Sequence, residues 1–147
     1  MVSARPRAAS LAPIDWQDVE LLDGSVMSAQ TLRSQPVVVQ FWASWCPFCK
    51  RQNPVLQQLH ETTRDRGLQV LTFTLDIDAQ KARDYLRDHR YTFPAALAGA
   101  ASARWFGARR SGLPDLYVVD VRGQVAFHEA DEMFPEDVLA LARYAGA

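Results

Sequence analysis

Two cysteines separated by two residues are the feature of this sequence that is most able to do chemistry. Cys46 and Cys49 are the only cysteines in the chain of 147 residues, and they stand in the stretch VVVQFWASWCPFCK. One pair excludes a framework of several disulfides and a four-cysteine zinc site. Three uses remain: a structural disulfide, part of a metal site, or a pair of reacting thiols.

The spacing of the pair and its surroundings favour reaction over the structural uses. A disulfide that closes so short a loop removes little entropy from the unfolded chain. A haem attachment site needs His after the second cysteine, where this sequence has Lys50. A zinc site needs two more ligands, and the three histidines, His60, His89 and His128, are scattered singly. We therefore expect no metal, and we interpret the histidines as surface or packing residues.

The elements around the pair should hold the first thiol at the start of a helix. The run from Val37 to Trp42 is β-branched and aromatic, which is typical of a strand buried on both faces of a sheet. A helix is predicted from about Cys46 to Arg66, with Ser44 or Trp45 near its cap and a kink at Pro54. The unpaired N–H groups of a helix start lower the pKa of a thiol.

The order of attack follows from this placement. Cys46 at the helix start is the expected nucleophile, and Cys49 lies about one turn further along the same face. Cys49 is therefore the expected resolving thiol. A Cys-x-x-Cys sequence beside a strand–helix–strand pattern is a known signature of a redox pair.

The rest of the chain predicts an α/β domain of three layers, α/β/α, with a mixed central sheet. The reactive site of such a sheet lies at the carboxyl end of a strand. Residues 1–15 are predicted to be a flexible leader or a trimmed end, and residues 16–147 the domain. The predicted elements are an N-terminal β extension from Val19 with its turn at Asp23-Gly24, a helical piece near Ala29 to Arg33, a core strand from Leu68 to Asp76, helices over Ala79 to Arg90 and Ala100 to Phe106, a hairpin formed by DLYVVD and QVAFHE, and a closing helix with Val138, Leu139 and Ala142 facing inward.

Composition limits the partners that the chain can hold. Its 16 Lys and Arg residues and 17 Asp and Glu residues give a net charge of -1, so it has no global basic field for a nucleic acid or an anionic membrane. No stretch approaches the ~18 apolar residues of a membrane span. We expect a soluble monomer that binds no nucleic acid and recognises its partner locally.

The segment FWASWCPFCK resembles the active-site segment of the thioredoxin superfamily. The longer pattern, DGSVMSAQTLRSQPVVVQFWASWC followed by FGARRSGLPDLYVVDVRGQV and a final helix, resembles the TlpA-like branch of bacterial thiol-disulfide oxidoreductases. The resemblance implies a thioredoxin-like fold and protein thiols or disulfides as substrates. It also implies a redox-active Cys46–Cys49 disulfide in place of any bound cofactor.

The resemblance assigns roles to further residues around the cysteines. Pro114 in SGLPDL matches the proline that the family holds in the cis form beside the disulfide. The backbone of Leu113 is then free to pair with an extended substrate segment. Trp45 matches the tryptophan that forms part of the rim covered by a substrate, and Pro47 and Phe48 complete the expected substrate-binding set.

The sequence departs from ordinary thioredoxins at positions that tune the reaction. Gln40 stands where those proteins carry a buried Asp, and an amide cannot take up a proton. Asp115 is an alternative base near the sulfurs, although a solvent-exposed strand residue is the favoured interpretation. Lys50 is either a cation that favours a thiolate or a solvated lysine. The dipeptide Pro47-Phe48 is closer to that of glutaredoxins, and because Pro47 lacks an N–H we expect a potential less reducing than that of thioredoxin.

The TlpA-like resemblance favours one direction of electron flow. It implies a periplasmic protein, or a membrane-anchored one facing the periplasm, that reduces protein disulfides, as in cytochrome c maturation, with electrons from a membrane thiol carrier. The alternatives are an oxidant or isomerase, and a glutathione-linked reductase. A non-catalytic docking module is more remote, as is a peroxiredoxin-type peroxidase, which carries Thr three residues before its cysteine where this chain has Ala43.

Overall fold

The computed structural model describes residues 12–108 and 112–147. A five-stranded sheet in the order β5-β4-β3-β6-β7 forms its centre, and β1 and β2 form a separate two-stranded sheet. The strands are β1 Val19–Glu20, β2 Val26–Met27, β3 Val37–Trp42, β4 Gln69–Thr74, β5 Ala95–Leu97, β6 Asp115–Val119 and β7 Val125–Ala130. The α-helices are α1 Ala29–Arg33, α2 Pro47–Thr63, α3 Ala79–His89, α4 Ala100–Phe106 and α5 Pro135–Leu139, and a 3₁₀ helix, Ala140–Tyr144, follows α5.

Strand β3 is the centre of the sheet. It pairs in parallel with β4 and antiparallel with β6, while β5 extends the parallel half and β7 the antiparallel half. Every residue of β3 is buried, as the apolar run predicts for a strand covered on both faces. The mixed sheet, the C-terminal hairpin and the N-terminal β extension are confirmed.

Helices cover both faces of this sheet and form the two outer layers of the α/β/α arrangement. On one face, Gln40 contacts Asn53 of α2 and the Trp42 ring lies 5.3 Å from that of Tyr85 on α3. On the other face, the ring of Phe41 lies 5.8 Å from that of Phe106 on α4. Adjacent residues of a strand point to opposite faces, so β3 joins the two layers of the core.

Two parts of the element prediction are wrong. Strand β5 is absent from the prediction because Ala95-Ala96-Leu97 carries no β-branched or aromatic side chain, and its pairing with β4 decides its conformation. The closing helix changes to 3₁₀ geometry after Leu139, which turns Leu141 into the core and leaves Ala142 exposed.

The end of the predicted leader contacts the domain, while residues 1–11 lie outside the described residues. The Ile14 N–H donates to the Gly123 carbonyl at 2.7 Å, and the Trp105 indole donates to the Asp15 carbonyl at 3.1 Å. Gly123 has φ +82°, and a Cβ at this position would lie 2.7 Å from the Ile14 carbonyl oxygen. Glycine is therefore required where the two segments cross.

Buried His60 on α2 should make stability depend on pH. Burial, with a smaller contribution from the charge of Arg64, lowers the pKa of His60. Below pH ~6.5 His60 is protonated in the unfolded chain but stays largely neutral in the folded protein, because its folded pKa is lower. The unfolded state then binds more protons than the folded state, so the free energy of unfolding falls as pH decreases. We expect His60→Gln to lose less stability than the wild type between pH 7.5 and pH 5.5 in urea unfolding. Exposed His89→Gln is the control, and equal losses in all three proteins would contradict the prediction.

Candidate active site

The first cysteine caps the helix that follows β3. Cys46 is the N-cap of α2 and Pro47 its first residue, which corrects the predicted cap at Ser44 or Trp45. The Cys49 N–H donates to Cys46 Sγ at 3.2 Å. The sulfur therefore takes the place of the oxygen that usually accepts from a free N–H at a helix start, which stabilises it as a thiolate.

The two cysteines differ in their exposure to solvent. Cys46 is 4% exposed and Cys49 is fully buried at 0%. Their neighbours Trp45 and Phe48 are 59% and 52% exposed, unusually high for aromatic side chains. A disulfide that approaches the protein therefore meets Cys46 first, between two exposed rings.

The loop before β6 completes the surroundings of Cys46. The Leu113-Pro114 peptide bond is cis, as the resemblance implies. Cys46 Sγ lies 3.8 Å from the Leu113 carbonyl oxygen, within reach of a weak S–H donor. The structure thus brings together Trp45, Cys46 and Leu113, which lie up to 68 positions apart in the sequence.

A chain of buried amides lies beneath the cysteines on the α2 face of the sheet. Gln40 donates to Asn53 Oδ1 and accepts from Gln52 Nε2, both at 2.8 Å. Gln52 Oε1 accepts the Met133 N–H at 2.7 Å, and Asn53 Nδ2 donates to the Tyr85 hydroxyl at 3.1 Å. Gln40 is therefore held from both sides, and its two amide atoms have fixed roles.

A buried carboxylate anchors the loop that carries Trp45 and Cys46. Asp76, two residues after the end of β4, accepts from the Ser44 N–H at 3.0 Å and from the Ser44 hydroxyl at 2.6 Å. The Thr74 hydroxyl donates to the same carboxylate. Asp76 is 7% exposed, so these bonds satisfy a group that would be costly to bury alone.

Replacement of Asp76 by Asn should weaken this anchor. One acceptor oxygen becomes an NH₂ group that faces donors, so we expect a loss of about 1–3 kcal/mol in the free energy of unfolding. We also expect slower disulfide exchange, because the loop before Cys46 loses its support. Urea unfolding and exchange rates, beside exposed Asp65→Asn as control, check this; wild-type values for both would contradict it.

Asp115 lies in a buried polar cluster instead of being solvent-exposed, which corrects the favoured interpretation. It is 2% exposed, and its carboxylate lies 2.7 Å from His128 Nε2 and accepts from the Tyr117 hydroxyl at 3.1 Å. Leu116 pairs with Gln40 in the sheet, so Asp115 points to the face opposite α2. Its carboxylate therefore faces away from the amide chain, and His128 is neither a surface residue nor an isolated one.

Several of these partners could be found in the sequence. Gln52 and Asn53 stand three and four residues after Cys49, on the helix face that also carries buried Leu56. A hairpin that is symmetric about Arg122 would place Tyr117 opposite Phe127, and a register shift between Val118 and Val119 places it opposite the next residue, His128. The pairing with Asp115 then follows from the two-residue period of a strand.

The remaining predicted positions lie at the surface. Lys50 and Pro47 are exposed on the first turn of α2, as is expected for a solvated lysine. Among the described residues no group of His, Cys, Asp and Glu is arranged to hold a metal ion. No helix in the described part of the chain has the length and apolar character needed to cross a membrane.

Comparison with known proteins decides the family. A family model described as the AhpC/TSA family matches residues 14–128, which is most of the chain. The chain belongs to the AhpC/TSA family. This AhpC/TSA chain is 22% identical over 105 residues to the thiol-disulfide oxidoreductase ResA of Bacillus cereus, covering 71% of this chain and 60% of ResA. It is 25% identical over 126 residues to the thiol:disulfide interchange protein DsbE of Escherichia coli, covering 84% of this chain and 66% of DsbE.

Solved structures show that this AhpC/TSA chain has the thioredoxin-like fold. A thiol:disulfide interchange protein of the thioredoxin family from Chlorobium tepidum superposes with a TM-score of 0.81 at 22% identity, covering 92% of this chain and 96% of that one. A DsbF homologue from Corynebacterium diphtheriae gives 0.78 at 23% identity, covering 92% and 87%. The predicted thioredoxin superfamily is confirmed. The chain spans less than two thirds of the length of the ResA and DsbE proteins above.

Proposed function

We propose that this chain is a thiol-disulfide oxidoreductase that acts on protein disulfides through Cys46 and Cys49. The observation that carries the proposal is the position of Cys46 Sγ, which accepts the Cys49 N–H at 3.2 Å at the start of α2 while a second thiol lies buried one turn behind it. ResA and DsbE, named for the same chemistry, support it.

The first step is attack on the substrate. The Cys46 thiolate displaces one sulfur of the substrate disulfide, so that a Cys46–substrate mixed disulfide forms and one substrate thiolate leaves. The Cys49 N–H stabilises the Cys46 thiolate before attack. The exposed rings of Trp45 and Phe48 provide apolar surface beside the sulfur, and the Leu113 backbone lies ready to pair with an extended segment.

The second step is resolution. Cys49 loses its proton and attacks Cys46 Sγ, which releases the second substrate thiolate and leaves the Cys46–Cys49 disulfide. Gln40, Gln52 and Asn53 bind one another beneath the site, and an amide accepts no proton at neutral pH. The proton of Cys49 therefore passes to solvent or to the departing thiolate. An external dithiol then supplies two electrons, which reduce the Cys46–Cys49 disulfide and return both cysteines to thiols.

We propose an extracytoplasmic reductant as the direction and setting. The TlpA-like resemblance of the active-site segment and of the longer sequence pattern supports this proposal. In this role the protein keeps cysteines of other proteins reduced, as in cytochrome c maturation. It acts as a monomer at or beyond the membrane and receives electrons from a membrane thiol carrier or, in the alternative, from glutathione.

Catalysed reduction of insulin disulfides tests the proposed activity. With dithiothreitol as electron donor, we expect the wild-type protein to accelerate precipitation of the insulin B chain well above the rate with dithiothreitol alone. A rate equal to that background would contradict the activity. Faster oxidation of a reduced, unfolded ribonuclease than reduction of insulin, under matched conditions, would contradict the direction.

A peroxidase role has less support at the same site. The position three residues before Cys46 is Ala43, which is buried and has no hydroxyl to orient a peroxide. The next side chain, Ser44, donates its hydroxyl to Asp76. Consumption of hydrogen peroxide at a rate that exceeds insulin reduction would favour the peroxidase instead.

A further inference from the structure

A groove lies beside the candidate site, between strand β7 and the segment that leads into α5. It has a volume of about 370 Å³, and its apolar lining consists of Phe127, Met133, Phe134 and Ala140. Phe134 is 71% exposed. A concave apolar surface with an exposed aromatic side chain is typical of a place where a partner binds.

The wall of this groove is fixed to the cysteine motif. Glu132 lines the groove and accepts from Arg51, with Nη2 at 2.8 Å and Nε at 3.0 Å from its carboxylate oxygens. The Arg51 guanidinium lies 4.9 Å from the centre of the Phe48 ring, which stands between the two cysteines. The Met133 N–H donates to the side chain of Gln52, which follows Arg51 on α2. A chain bound at Cys46 therefore has the groove within reach of its neighbouring residues.

The charge of the groove selects the partner. Glu129 and Asp137 line it, and in the described part of the chain neither forms an ion pair. The one basic residue in the lining, Arg143, lies over the Phe127 ring at 5.9 Å. Residues 129–137 carry five carboxylates and no Lys or Arg. The groove therefore presents an excess of negative charge around an apolar floor.

We infer that this groove binds the substrate polypeptide next to its reacting disulfide, and that it prefers segments with a Lys or Arg beside an apolar side chain. The apolar side chain covers Phe127 and Phe134, and the cation pairs with Glu129 or Asp137. This inference names a substrate class and rests on the proposed function. Exposed charge pairs are screened by salt, so the preference should weaken as ionic strength rises.

Matched peptides test the inference. Two disulfide-bridged peptides would have one sequence except for Lys or Glu at the two positions that flank one cysteine. We expect the wild-type protein to reduce the Lys peptide about threefold or more faster in kcat/KM at low salt. The double variant Glu129→Gln/Asp137→Asn should lose that preference. The control Asp65→Asn/Asp88→Asn removes the same charge from exposed sites outside the groove and should keep it.

Binding separates the groove from the redox reaction. The same peptides with Ser in place of Cys, followed by fluorescence anisotropy, should bind with the same Lys preference and the same response to the double variant. Equal binding of Lys and Glu peptides, or a preference that survives in Glu129→Gln/Asp137→Asn, would overturn the inference. A retained Lys preference without any peptide reduction would support the groove and contradict the proposed function.

Discussion

Replacement of Cys46 by Ser is expected to abolish disulfide exchange. The hydroxyl of serine is not ionised at neutral pH, so the helix start no longer holds a nucleophile, and we expect a loss on the order of 10³-fold or more in insulin reduction. The fold should remain, because Ser is a good N-cap and still accepts the Cys49 N–H. The insulin assay and urea unfolding check the two halves of this prediction.

The matched variant Cys49→Ser should fail at a different step. Cys46 still attacks, but nothing releases the substrate, so a mixed disulfide between Cys46 and the substrate accumulates and is visible by intact mass spectrometry. Cys46→Ser should form none. A trapped adduct in Cys46→Ser, or none in Cys49→Ser, would contradict the assigned order. A docking module would bind its partner equally well in both variants.

Replacement of Gln40 by Glu should make the free energy of unfolding depend strongly on pH. A protonated Glu can donate to Asn53 Oδ1 and accept from Gln52, as Gln40 does, whereas an ionised Glu has no proton to donate and is buried. Both effects raise the pKa of the introduced carboxyl above its unfolded value of about 4.3. The folded state then binds more protons than the unfolded state, so stability falls as pH rises above that value.

We expect Gln40→Glu to unfold near the wild-type urea concentration at pH 5 and to lose about 3–5 kcal/mol at pH 8. Urea unfolding at the two pH values measures this loss. Gln58→Glu places the same substitution on an exposed position of α2 and should show almost no pH-dependent loss. A loss in Gln40→Glu that is the same at both pH values would show that the introduced group does not ionise within the buried amide chain.

The sequence predicts the fold where one periodicity extends over a whole element. The run Val37–Trp42 and the turn between the strands of the hairpin determine β3, β6 and β7, and the structure agrees. Strand β5 is missed because its residues have weak strand propensity and only its neighbour β4 makes it a strand. The break after Leu139 is likewise a tertiary effect, since the helical pattern continues through it.

The same distinction between local patterns and tertiary contacts applies to the residues of the candidate site. Cys46 and Cys49 are only three positions apart in the sequence, so a local motif is enough to predict both of them. The contacts that Asp76 makes with Ser44 connect residues 32 positions apart, and no local pattern predicts them. The orientation of Asp115 depends on the pairing of three strands, which is why the expectation of an exposed residue is wrong.

The reduction potential of the Cys46–Cys49 couple is the most direct measurement of the central claim. It is obtained by equilibrium in dithiothreitol or glutathione buffers, followed by tryptophan fluorescence. We expect one reversible two-electron transition near −250 mV, slightly less reducing than the roughly −270 mV of thioredoxin, as suits a reductant in an oxidising compartment. A potential above roughly −200 mV would contradict the reductant role. The absence of any reversible two-electron couple would contradict thiol-disulfide exchange itself.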